Sequence, residues 1–135
     1  MELTRGAVAR PEVCISYLDT GGQAPVVVFL HGLAGSAGEF VPSVRALWPE
    51  YRCVLVDQRG HGHSTQVPAD TGRQAFVGDV VAVLDVVTPD QPVVLVGQSM
   101  GAHTAVLTAA AHPDRVAGLV NPPRFSAALI PGGPR

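Results

Sequence analysis

Three short segments with consecutive apolar residues at their cores, 25–30, 51–56 and 91–96, each empty into a glycine-bearing loop, and each loop leads into a segment with the spacing or composition of a helix. No other feature constrains the fold as strongly. Strands that alternate with helices at this spacing pair in parallel through right-handed crossovers, which places helices on both faces of a layered α/β sheet. The first run, Pro-Val-Val-Val-Phe-Leu, is apolar throughout and rich in β-branched residues, as a strand covered on both faces must be. Helices are expected over residues 37–48, where Pro42 blurs the start, over 72–87, and over the alanine-rich segment 99–111. In the second of these, Phe76, Val77, Val80, Val81, Leu84 and Val87 recur at helical spacing.

Both ends of the chain depart from this unit. Residues 13–18 alternate apolar with small or polar side chains and meet Asp19-Thr20-Gly21-Gly22, turn chemistry that predicts a strand leaving through a hairpin. Residues 116–120 begin a fourth parallel strand, which Asn121-Pro122-Pro123 stops because successive prolines cannot donate to a ladder. Beyond that point the composition shifts, with the chain's single asparagine at 121 and Pro-Gly-Gly-Pro at 131–134.

Composition narrows the function classes. With 135 residues the chain is one domain, and a chain of this size buries roughly two-thirds of its unfolded surface, enough for a core without disulfides. Hydrophobic residues make up 47% and charged residues 15%, so the body collapses rather than remaining disordered. A net charge of −2 offers no electrostatic footprint for nucleic acid or an anionic membrane surface. No uninterrupted apolar stretch, such as residues 26–30, is long enough to cross a bilayer, and residues 1–10 lack the features of a signal peptide, so the expected location is cytoplasmic. Cys14 and Cys53 fall in expected strands and read as small buried hydrophobes. Neither a disulfide nor a metal site is expected of them.

Gly97-Gln98-Ser99-Met100-Gly101 carries the chemistry. The pattern follows a buried strand and opens a helix, where a sharp turn needs residues without bulk on either side and pushes the central side chain into solvent. Ser99 then sits at a helix N-terminus, whose free N–H groups favour developing negative charge. The backbone N–H of Met100 is one expected donor to an oxyanion. A second should come from a loop at the same sheet edge, and His31-Gly32-Leu33 is placed to supply the N–H of Leu33, with Gly32 and Gly35 allowing close approach. The competing readings are a serine that merely caps the helix and an ordinary glycine loop.

In this order and spacing, His31-Gly32-x-x-Gly35-Ser36, Asp57-x-Arg59-Gly60-His61-Gly62-x-Ser64 and Gly97-x-Ser99-x-Gly101 resemble the α/β-hydrolase superfamily, in its branch of small esterases, cofactor-free perhydrolases and C–C bond hydrolases. The resemblance implies Ser99 as nucleophile, the N–H groups of Met100 and Leu33 as oxyanion donors, and a small carbonyl substrate turned over without cofactor or metal. It implies structural roles for His31, Gly32, Gly97, Gly101, Asp57, Arg59, Gly60, His61 and Gly62. A serine at position 99 sets the chain apart from the epoxide hydrolase and haloalkane dehalogenase branches, whose nucleophile is an aspartate.

A serine hydroxyl needs a histidine to take its proton and a carboxylate to orient that histidine, and in this family the acid and base follow the serine in the chain. After Ser99 the chain offers Asp114, His103 and His112. His103 lies one turn along the nucleophile's own helix, and His112 ends it, so neither is assigned as base and no triad acid is assigned. The expectation is therefore the N-terminal half of an α/β-hydrolase fold over residues 1–120, followed by an irregular tail over 121–135, from a reading frame shifted or ended early near Asn121. Two outcomes are expected to compete: a serine hydrolase acting on an ester, lactone or related carbonyl, and a silent half-domain that self-associates through the open edge of the third parallel strand. Dinucleotide binding is set aside, because no Gly-x-Gly-x-x-Gly follows the first strand.

Overall fold

The structure, a computed structural model, describes residues 1–122. Six strands form one sheet: β1 (Thr4–Ala9), β2 (Cys14–Asp19), β3 (Val26–Leu30), β4 (Arg52–Val56), β5 (Val93–Gly97) and β6 (Val116–Val120). Their order is β1-β2-β4-β3-β5-β6, with β1, β2 and β4 antiparallel to their neighbours and β4, β3, β5 and β6 parallel. Helices α1 (Val41–Leu47), α2 (Arg73–Val87) and α3 (Met100–Ala111) fill the crossovers. This is the layered, mostly parallel α/β architecture expected from the βα alternation.

Side-chain alternation along β3 builds two cores at once. All five of its residues are buried, with Val26, Val28 and Leu30 packed among α2 and α3 residues such as Val80, Leu84 and Ala105. Val27 and Phe29 point the other way, onto Phe40 and Val44 of the α1 side. β4 repeats the division, with Val54 and Val56 on one face and Cys53 and Leu55 on the other. Each such side chain contributes about 1.5–3 kcal/mol on burial, so the sandwich is held by the strands that bury both faces.

Parallel registry places the functional loops. Leu30, the last residue of β3, pairs with Val56 at the end of β4 and with Gly97 at the end of β5. The loops beginning at His31, Asp57 and Gln98 therefore leave the sheet at one edge, side by side.

Four expectations change. β1 was not foreseen, since its sequence Thr-Arg-Gly-Ala-Val-Ala is polar, mostly exposed and interrupted by Gly6. The Tyr17 ring of β2 lies across Gly6, where a β-carbon would come within 2.5 Å of the ring unless the ring moved. Gly21 and Gly22 do take left-handed conformations (φ 72° and 101°), but β2 and β3 form no hairpin. β4 inserts between them, pinned to the end of β2 by the Arg52–Asp19 ion pair at 2.7 Å. Cys53 is buried as expected, whereas Cys14 is exposed at the start of β2. Finally, β5 is not an open edge. It pairs with β6, on which Leu119 and Val120 are about half-exposed. The irregular tail expected over 121–135 lies, from residue 123 on, outside the described residues. No helix among the described residues is long and apolar enough to cross a membrane.

One buried ion pair joins the β4 loop to α2. Arg59 and Asp79, each 3% exposed or less, make two hydrogen bonds of 2.7 and 2.8 Å, and Arg10 adds a third to the same carboxylate at 3.1 Å. Removing one partner leaves a desolvated charge, which costs about 3–5 kcal/mol. Asp79→Ala is accordingly expected to lower the unfolding free energy by about that amount in urea titration, whereas Asp85→Ala, which removes an exposed carboxylate from its pair with Arg115, should change it by less than about 1 kcal/mol.

Candidate active site

β5 and α3 meet in a sharp turn at Ser99. Ser99 adopts φ 55° and ψ −115°, a region that costs a residue with a side chain about 1–3 kcal/mol. The turn also explains both flanking glycines. A β-carbon on Gly97 would lie 2.6 Å from the Ala102 nitrogen, and one on Gly101 would lie 2.7 Å from the His31 carbonyl oxygen. α3 therefore seats its first turn directly on the backbone at the end of β3. The Ser99 side chain is exposed and makes no capping hydrogen bond to α3, so the cap reading of this serine does not hold.

The β3 loop approaches from the other side. Gly32–Gly35 is a type II turn, closed by the Gly35 N–H to the Gly32 carbonyl at 3.0 Å and carrying Ala34 at φ 64°. A β-carbon on Gly32 would sit 3.3 Å from the Ser99 β-carbon, so this glycine lets the loop lie against the serine. The Gly32 carbonyl also accepts from His31 Nδ1 at 2.8 Å. In a planar trans peptide the N–H points opposite the carbonyl, so these two bonds hold the Leu33 N–H facing away from them. Among the described residues, neither the Leu33 nor the Met100 N–H has an acceptor in the protein.

The remaining motif residues build the scaffold under these groups. His31 is fully buried, and its Nε2 accepts the Gln58 N–H at 2.9 Å while its carbonyl accepts from the Gln58 side chain at 2.8 Å. Burial pushes its imidazole below the ordinary value of 6.5, with the Gly32 bond opposing. Asp57, 1% exposed, accepts the N–H groups of Ala37 (2.8 Å) and His63 (3.1 Å) and a bond from Arg5 (3.2 Å). Gly60 and Gly62 take left-handed conformations (φ 83° and 54°), and Gly62 leaves room for the Asp57 carboxylate, which a β-carbon would strike. His61 packs against His31 with ring centroids 4.9 Å apart.

A cleft of about 410 Å³ opens beside Met100 and Leu33, walled by Val67, Pro68 and Phe76 and bordered by Arg73. The sequence reading missed Val67 and Pro68, because a loop valine and proline carry no periodic signal, and took Phe76 only as a core position of α2. It also missed Asp79 and Gln58. Asp79 had a usable signal: it is a charge on the apolar face of α2, three residues after Phe76. His103 is exposed on α3, its backbone N–H donating to the Ser99 carbonyl at 3.2 Å, and His112 ends that helix; neither imidazole makes a hydrogen bond to the Ser99 hydroxyl. Among the described residues, no group of three or more histidine, cysteine, aspartate or glutamate side chains could hold a metal ion. The Cys53 thiol, pushed up to about 11 by burial and by Asp19, stays protonated at neutral pH and is no nucleophile.

Comparison with known proteins places the fold. The family model described as the alpha/beta hydrolase fold matches residues 25–121, and the chain belongs to that family. It is 42% identical over 101 residues to epoxide hydrolase B of Mycobacterium tuberculosis, covering 73% of this chain and 28% of that protein. It is 39% identical over 111 residues to a pimeloyl-[acyl-carrier protein] methyl ester esterase of Xanthomonas campestris, covering 81% and 42%. Potato epoxide hydrolase I superposes with a TM-score of 0.81 at 29% identity, over 89% of this chain and 39% of that one. The chain thus spans 28% and 42% of the length of these two curated relatives.

Two measurements check the site's physics. Ser99→Gly relieves the left-handed strain while adding glycine's chain entropy, so the variant should be more stable by about 1 kcal/mol in urea titration. His31 loses stabilising power when charged. Because its folded pKa lies below the unfolded 6.5, the unfolded chain binds the extra proton first. Its contribution is complete above 6.5 and is lost as pH falls toward the folded value. An NMR titration should place the His31 midpoint below 6.5, with unfolding free energy declining in the same window.

Proposed function

We propose that this chain carries the nucleophile and oxyanion-binding elements of a serine hydrolase acting on an ester, lactone or related carbonyl through an acyl-enzyme. The observation that carries the reading is Ser99: strained, exposed and uncapped, beside two backbone N–H groups that no protein acceptor occupies. Attack of the Ser99 oxygen on a carbonyl carbon moves the carbonyl electrons onto oxygen. The N–H groups of Met100 and Leu33 then receive that oxyanion, and one such donor is worth about 10²–10³ in rate. Collapse of the intermediate expels the alcohol and leaves the acyl group on Ser99, for water to release.

A base must take the Ser99 proton, and a carboxylate must orient that base. Among the described residues, no histidine is placed to do so. On this reading the chain supplies the nucleophile side of the site, and turnover needs a base in addition. The apolar walls of the adjoining cleft suit an alkyl or acyl substituent of the substrate, and the relative named as a methyl ester esterase supports an ester. A hydroxyl at the apex also favours carbonyl attack over epoxide opening. No cofactor enters this chemistry.

A fluorophosphonate probe decides between an activated serine and a silent domain. Slow labelling, driven by the oxyanion donors without a base, is expected at Ser99 and should vanish in Ser99→Ala. Absence of labelling in the unmodified chain would sink the reading.

A further inference from the structure

The loops after β3 and β4 are joined by two histidines used in the same way. His31 Nδ1 lies 2.8 Å from the Gly32 carbonyl of its own loop, and its Nε2 lies 2.9 Å from the Gln58 nitrogen of the other. His61 mirrors this arrangement, with Nδ1 3.0 Å from the Arg59 carbonyl of its own loop and Nε2 3.1 Å from the Ala34 nitrogen of the other. A carbonyl only accepts and a backbone amide only donates, so each ring must carry its proton on Nδ1 and leave Nε2 bare. The rings then pack against each other in a tilted pair, with centroids 4.9 Å apart and planes at 54°.

Leu33 lies between the two grips. The peptide before it is held at the Gly32 carbonyl by His31, and the peptide after it is held at the Ala34 N–H by His61. Fixing both planes fixes the φ and ψ of Leu33. It also accounts for Ala34, a residue with a side chain, remaining in the left-handed region at φ 64°. We propose that His61 is a positioning residue which, with His31, locks the peptides on both sides of Leu33 and so aims its N–H at the Ser99 site. The use of that N–H rests on the serine hydrolase reading; the lock itself does not.

NMR on the full chain tests the lock without any activity. A scalar coupling from the Ala34 nitrogen to His61 Nε2, with His61 protonated on Nδ1, is expected; an Nε2-protonated His61 would overturn the proposal. His61→Phe keeps the ring packing but removes the acceptor. It should lower the order parameters of the Leu33 and Ala34 amides and slow phosphonylation of Ser99 about tenfold, while His61→Gln, which retains an acceptor, should recover part of both. Unchanged Leu33 order in a folded His61→Phe overturns the positioning role, as does unchanged labelling. Should the unmodified chain fail to label, the serine hydrolase reading falls, and the order parameters alone decide the lock. Should His61→Phe fail to fold, the coupling and tautomer in the unmodified chain decide it.

Discussion

The site depends on one close approach: α3 rests on the backbone at the end of β3 with no side chain between them. Gly101 makes this contact, and a methyl group there would collide with the Leu30 and His31 carbonyls. Because the helix begins so near the strand, the chain turns from β5 into α3 within a few residues, and Ser99 absorbs the turn in a conformation that side chains avoid. The same contact brings the β3 loop within reach of the serine at Gly32. Strain, exposure and neighbouring amides thus share a single steric origin.

Around that contact the molecule changes its means of cohesion. Below the loops, valine, leucine and phenylalanine fill two apolar layers whose attraction is non-directional. At the loops, His31, Asp57, Gln58, Arg59 and Ser64 are buried and make directional bonds instead. A buried polar group is costly unless its partner stands in the right place, so such bonds define one loop arrangement rather than a family of them. Positions of backbone amides, on which the proposed chemistry relies, are better set by these bonds than by packing.

Much of this was legible in advance, for identifiable reasons. β3, β4 and β5 announce themselves as apolar runs because both their faces are buried, and α2 does so because its apolar residues recur on one side. Gly97, Ser99 and Gly101 were legible because a turn so tight admits few residue types. β1 was not, since an exposed edge strand need not alternate and Gly6 serves a ring eleven residues away. Cys14 was misjudged because an end residue of a strand need not share its burial. The hairpin after β2 failed because turn chemistry describes where a chain bends and not which strand it meets.

The amino-acid order by itself determined the βα alternation, the serine at the bend and the glycines around it, because local sterics and hydrophobic periodicity act between near neighbours. Only the tertiary structure decided that β4 lies between β2 and β3, that Asp79 answers Arg59, and that His61 reaches Ala34. Those pairings join residues 20 and 27 positions apart. Their partners are chosen by strand order and register, which arise when the whole sheet closes on its two cores.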